Sequence, residues 1–106
     1  METEEAKDNV VRGLAPLPVS VRTMFGGYGL FLEDRFFGVI SDGRVYFRTD
    51  ATSRADYLGR GMTAFQPRNR RRGPKTVDRN FEVPDDVLAD ANLLRDWALR
   101  AASASS

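Results

Sequence analysis

Along residues 3–14 the apolar positions Val10, Val11 and Leu14 fall on one face of a helix, and the segment opens on Thr3 followed by Glu4 and Glu5. This predicts an N-terminal helix with Thr3 as its N-cap, the glutamates set favourably against the helix dipole, and Pro16 and Pro18 ending it. From Val21 to Thr49 the texture changes to short runs of aromatic and β-branched residues, broken at Gly26-Gly27, Glu33-Asp34 and Asp42-Gly43. Such runs are strands of a meander. The clearest turn is Asp42-Gly43, where both residues can take φ > 0 and close a type I′ hairpin between Phe36–Ser41 and Arg44–Arg48. In its second arm Val45 and Phe47 point one way and Arg44, Tyr46 and Arg48 the other, so one face of the sheet is expected to be wet and basic.

After Asp50, a predicted N-cap, 51–60 reads as a short helix with Ala55 and Leu58 inward and Gly61 just past its end. Met62–Gln66 and Arg79–Val83 read as two further strands. The stretch between them, Pro67-Arg68-Asn69-Arg70-Arg71-Arg72-Gly73-Pro74-Lys75, is too polar and too rich in turn residues to pack, and is expected as an exposed arm. Pro84 at the first helical position, with Asp85 and Asp86 behind it, opens a helical segment, and Asp90 recaps a second. Val87, Ala91, Leu94, Ala98 and Ala101 share a face with Trp97 beside it, and Ser103–Ser106 is a fraying tail. With no internal repeat and no linker, residues 1–106 are expected to form a single domain. The predicted class is α+β: a two-layer domain whose antiparallel sheet has about five to six strands, with helices at both termini and one between strands. A parallel doubly wound sheet needs strand-helix-strand crossovers, which Leu30–Arg48 does not provide.

Charge alters this picture through its distribution. The net charge is only +1, yet residues 1–43 sum to −3, residues 44–79 to +7 and residues 80–106 to −3. A basic middle between acidic ends points to a binding surface. The chain has no cysteine and no histidine. That removes disulfides, thiolate nucleophiles, Cys/His zinc sites, Ser-His-Asp triads and imidazole acid-base chemistry. No catalytic residue, metal or cofactor is therefore expected, and no small-molecule substrate is evident. The acidic start Met1-Glu2-Thr3-Glu4-Glu5 has no apolar signal region, and no stretch approaches the ~18 apolar residues of a membrane span. A cytoplasmic protein without membrane contact is expected.

Gly26-Gly27-Tyr28-Gly29 fails as a dinucleotide fingerprint, because Leu32 stands where the third glycine belongs and no helix follows. Glycines that let a strand bend or a backbone approach closely are the plainer account. Glu33-Asp34 and Asp85-Asp86 point apart as sequence neighbours and read as a turn and a helix first turn. The arm Arg68, Arg70, Arg71, Arg72 and Lys75 carries five cations in eight residues. It could neutralise phosphates in a salt-sensitive, sequence-independent manner, contact an acidic protein surface, or serve only as a solvated loop. The aromatics Phe25, Tyr28, Phe31, Phe36, Phe37, Tyr46 and Phe47 exceed what one face of three short strands needs. Some of them, Phe31, Phe37 or Tyr46, are candidates for the second face and a partner surface or dimer seam.

The run Arg22-Thr23-Met24-Phe25-Gly26-Gly27-Tyr28-Gly29-Leu30-Phe31, then Phe36-Phe37-Gly38-Val39-Ile40, Asp42-Gly43-Arg44-Val45-Tyr46-Phe47-Arg48, and Phe81-Glu82-Val83-Pro84-Asp85-Asp86-Val87-Leu88 with Trp97-Ala98, resembles the N-terminal domain of the TfoX/Sxy family over roughly 21–102. The family motif positions are Met24, Phe25, Gly26, Gly27, Tyr28, Gly29, Pro84 and Trp97. The resemblance implies an antiparallel sheet flanked by helices, a bacterial origin and a link to competence regulation and transcription. Full-length regulators of the family carry a second, helix-hairpin-helix-like domain, so a stand-alone N-terminal domain is expected here. It implies no catalytic residues. Two functions remain open: a regulatory or adaptor domain acting through protein contacts, with the transcription machinery or with itself as a homodimer, and direct nucleic-acid binding through Arg68–Lys75.

Overall fold

Asp42 and Gly43 both lie at positive φ, 53° and 76°, so the sharpest predicted turn forms and joins strand β3 (Arg35–Ser41) to β4 (Arg44–Arg48). The computed structural model describes residues 2–24, 26–65 and 79–104. Around the hairpin stand α1 (Thr3–Leu14), β1 (Val19–Met24), β2 (Gly27–Leu32), α2 (Ala51–Gly59), β5 (Asn80–Glu82), α3 (Asp85–Leu88) and α4 (Ala91–Ala104). The sheet has five strands in the order β1-β2-β3-β4-β5, every neighbouring pair antiparallel. This is the α+β architecture expected, with helices at both ends of the order and one between strands.

The sheet's inner face and two helices make the main core. α1 buries Ala6, Val10 and Leu14 at four-residue spacing, and α4 buries Leu94, Trp97, Ala98, Ala101 and Ala102. Against them stand Leu30, Phe37, Ile40, Val45 and Phe47 of the strands. Phe37 and Phe47 meet edge to face at 5.5 Å between centroids. Side chains of this kind each contribute roughly 1.5–3 kcal/mol when fully buried.

Several local expectations change. Thr3 does not cap α1: it is the first helical residue, and its Oγ1 accepts the Gly43 N–H at 2.9 Å, which ties the helix start to the β3–β4 turn. In α2 the inward residues are Ser53 and Tyr57, while Ala55 and Leu58 face solvent. Asp50 and Ser53 form a reciprocal capping box, the Ser53 N–H donating to Asp50 at 2.8 Å and the Asp50 N–H to Ser53 Oγ at 3.0 Å. One turn on, Tyr57 stacks edge-on against Trp97 at 4.8 Å. The larger aromatic surface wins the inner face over Leu58, and burial pushes the Tyr57 hydroxyl pKa upward. The strand expected over Met62–Gln66 is reduced, among its described residues, to one bridge, Ala64 to Phe81. Pro84 is the N-cap of α3, not its first residue, and Ala91 is exposed because α4 only begins there. Phe25 and the stretch Arg68, Arg70, Arg71, Arg72 and Lys75 lie outside the described residues.

The glycine at 27 is demanded by a close approach. A Cβ there would land on the Ile40 carbonyl oxygen, a backbone atom that cannot swing aside, whereas at Gly59 near the end of α2 it would meet open space. Gly27→Ala is expected to destabilise by about 3 kcal/mol, a fall in Tm of roughly 12–24 °C. Gly59→Ala is expected to be neutral or to stabilise by up to about 0.5 kcal/mol. Thermal and urea denaturation of the two variants check the pair.

Candidate functional site

The face of the sheet turned away from α1 and α4 carries its own apolar cluster, Val39 and Phe65 with Phe36 and Tyr46 packed against them. Its origin is one irregularity in β3. Leu30 pairs with Gly38 but Phe31 pairs with Phe36, so Phe37 is an extra residue on β3. The bulge turns Phe37 into the main core and leaves Phe36 beside Phe31 on the second face, with ring centroids 5.5 Å apart. Phe31 and Tyr46 are therefore the second-face aromatics foreseen, and Phe37 is a correction. Tyr46 lies across from Val39 in the ladder and 4.9 Å from the Phe65 ring. Arg22 on β1 spreads its guanidinium over Phe31 at 4.4 Å and reaches Asp34 at 3.7 Å. The expectation of a wet, basic face is thus half met: cations rim an aromatic centre.

Burial first, and then the charge of Glu82, pushes the Tyr46 hydroxyl pKa upward. Of the other motif positions, Met24 packs its side chain over Gly29, where a Cβ would collide with the sulfur, and Gly26 takes φ 73° in the β1–β2 turn. Tyr28 lies under Lys7 Nζ at 5.3 Å, Pro84 is buried, and Trp97 joins α4 to Tyr57 with Arg60 5.3 Å above its ring. Every described motif position thus has a structural role, in packing or, at Gly26, in the backbone of a turn.

A second feature gathers where β4 hands over to α2. Thr49 is tied down there: its N–H and its hydroxyl both donate to the Arg79 carbonyl, at 2.7 and 2.6 Å, and Arg54 Nε approaches its Oγ1 at 3.5 Å. Arg48 and Asn80 are cross-strand partners. Asn80 is only 1% exposed, and among the described residues its side-chain Oδ1 and Nδ2 find no hydrogen-bond partner, nor does the buried Nε of Arg48. No carboxylate of the described residues is ion-paired with Arg48, Arg54 or Arg79, whereas Lys7, Arg22, Arg44, Arg60 and Arg100 all have one. Desolvation, with the like charge of Arg79 added, lowers the Arg48 pKa. Sequence reasoning placed Arg48 on a diffuse basic face and passed over Asn80 and Arg79. The corner exists because the strands β4 and β5 pair, a long-range event that no local pattern announces.

Among the described residues no group of three or more His, Cys, Asp or Glu is placed to hold a metal ion, and no helix is long and apolar enough to cross a membrane. An antiparallel meander with helices on one face and an aromatic second face defines a small α+β module. The chain belongs to the TfoX N-terminal domain family, whose sequence profile matches residues 13–105, beyond the expected 21–102 at both ends. It is also similar to the DNA transformation protein TfoX1 of Aliivibrio fischeri, 59% identical over 27 residues, which is 26% of this chain and 13% of that protein's length.

A buried amide that makes no hydrogen bond costs stability, and an apolar residue of similar shape removes that cost. Asn80→Leu is expected to raise the unfolding free energy by about 1 kcal/mol, measured by urea denaturation. A drop in stability instead would mean that the amide is satisfied in solution.

Proposed function

We propose that this chain is a small regulatory module that works by protein contact through the helix-free face of its sheet, on a component of the transcription machinery. The observation that carries this reading is the half-buried aromatic group Phe31, Phe36 and Tyr46, seated on the buried Val39 and Phe65 opposite the main core, with Arg22 over Phe31. Aromatic and arginine side chains of this kind supply most interface hot spots. Membership of the TfoX N-terminal domain family and the likeness to a DNA transformation protein support a regulatory role connected with competence. No catalytic role is proposed: the chain has no histidine or cysteine to run the common acid-base and nucleophilic mechanisms. In affinity capture from the source cytosol, the wild type should retain a transcription component identified by mass spectrometry. Phe31→Ser should weaken that capture by roughly 30-fold, a hot-spot effect of about 2 kcal/mol. A monomer that retains nothing, or a variant that captures equally well, counts against the reading.

The basic corner favours a second reading, direct nucleic-acid binding. Arg48, Arg54 and Arg79 stand at the point where the chain leaves β4 and enters β5, flanking in sequence the five cations of Arg68–Lys75. Cations with no ion-paired carboxylate among the described residues are suited to phosphates, whose contacts position a duplex without reading its sequence. In a mobility-shift titration at low and high salt, changing Arg70, Arg71 and Arg72 to Ala should weaken binding and make the salt slope shallower by about 0.9 for each phosphate no longer neutralised. Equal binding by the wild type and the triple variant would remove the arm from this reading.

A further inference from the structure

One concavity among the described residues is lined by neither the aromatic cluster nor the basic corner. α1, the β3–β4 turn, the end of β5 and α3 enclose a groove of about 540 Å³. Its floor is apolar, with Val10, Val45, Leu88 and Leu94 contributing. Its rim carries three carboxylates, Asp42, Glu82 and Asp85, against one guanidinium, Arg44, which is already committed to Glu82 at 2.9 Å. The walls are held in place: the Gly43 N–H to Thr3 Oγ1 bond pins the turn to α1, and Pro84 starts α3 at Asp85.

An apolar floor under an acidic rim fits one side chain best. Arginine lays a three-methylene stem on hydrocarbon and presents a planar fork of donors to carboxylates. The chain holds its own dense source of that side chain in Arg68, Arg70, Arg71 and Arg72. The two charges are separated along the same strands. β4 runs from Arg44 at the groove to Arg48 at the basic corner, and β5 from Asn80 at the corner to Glu82 at the groove. Four residues of strand put the two ends about 13 Å apart. The acidic end of one copy is thereby complementary to the basic end of the next.

We propose that this groove binds the arginine-rich stretch Arg68–Lys75 of a second copy of the chain. The contact is head to tail, so each copy offers one groove and one arm, and association is sensitive to salt. It uses neither Phe31 nor Tyr46, and it occupies the same arginines that a polyanion would contact.

Two variants separate the halves of the contact. Asp42→Asn with Asp85→Asn removes the groove charge and keeps the arm; asparagine tolerates the left-handed conformation at 42. Changing Arg70, Arg71 and Arg72 to Ala removes the arm and keeps the groove. In sedimentation experiments the wild type should associate at about 50 mM salt and dissociate at about 500 mM. Each variant alone should associate at least about tenfold more weakly, and an equimolar mixture should form one-to-one dimers, because one partner supplies the groove and the other the arm. A synthetic peptide of residues 66–78 should bind the arm variant and not the groove variant, a readout that holds whatever the oligomeric state. The proposal is overturned by a wild type that stays monomeric at low salt, by variants that associate as the wild type does, by a mixture that stays monomeric while both variants keep the native thermal transition, or by a peptide that binds both variants equally. Phe31→Ser should leave the association unchanged, so a failure here and a failure of the protein-contact reading are distinguishable.

Discussion

Because Leu30 faces Gly38 while Phe31 faces Phe36, strand β3 is one residue longer than its partner at this point, and the faces of Phe36 and Phe37 are exchanged relative to strict alternation. Everything on both sides of the sheet depends on that exchange. On the inner face Phe37 is completely buried and meets Phe47 under the helices. On the outer face Phe36 joins Phe31 and the cluster around Val39. Without the extra residue Phe36 would be driven inward and Phe37 outward, and neither the pairing of Phe37 with Phe47 nor that of Phe36 with Phe31 would survive. The central strand can be apolar on both sides only because the irregularity sorts its aromatics.

The same sheet sorts charge along its strands. At the Arg44 end a guanidinium is matched by Glu82 and surrounded by acids; at the Arg48 end the cations Arg48, Arg54 and Arg79 have no ion-paired carboxylate among the described residues. The near-neutral total therefore conceals a dipolar arrangement along β4 and β5, with each pole placed beside a different structural feature. The acidic pole has a groove and the basic pole has buried polar atoms that no described group satisfies. Neither is a device for stability in itself, since exposed ion pairs contribute little and unpaired buried groups cost.

What local patterns carried was legible. The turn at Asp42-Gly43, the helix over residues 3–14, the cap at Asp50 and the face of α4 follow from short-range rules that the fold does not overrule. The family likeness carried by residues from Arg22 to Trp97 was also legible, and it gives the class of protein. What needed tertiary information was not. Leu58 loses the inner face of α2 to Tyr57 because Trp97 and Phe81 stand opposite, and both are distant in sequence. Gly38 in mid-strand was the one local hint of the bulge, since isolated strand glycines often mark one. The groove joins Val10, Asp42, Glu82 and Asp85, and no motif spans four elements. The arginine-rich arm was the most conspicuous stretch in the chain, and it lies outside the described residues, so its role rests on the surfaces that flank it.

The strands β1 to β4 pair with one another in chain order, and only β4 also pairs with the distant β5, whereas α4, the last of the described elements, supplies Leu94, Trp97, Ala98, Ala101 and Ala102 to the core beneath them. On the ribosome, where chains emerge at about 5–20 residues per second, the first four strands of the meander are out well before this cover. For that interval its oily underside lacks the five α4 side chains that close it. Folding to the finished state must therefore wait for residues 91–104 to clear the exit tunnel, and the single tryptophan arrives with the segment that closes the structure.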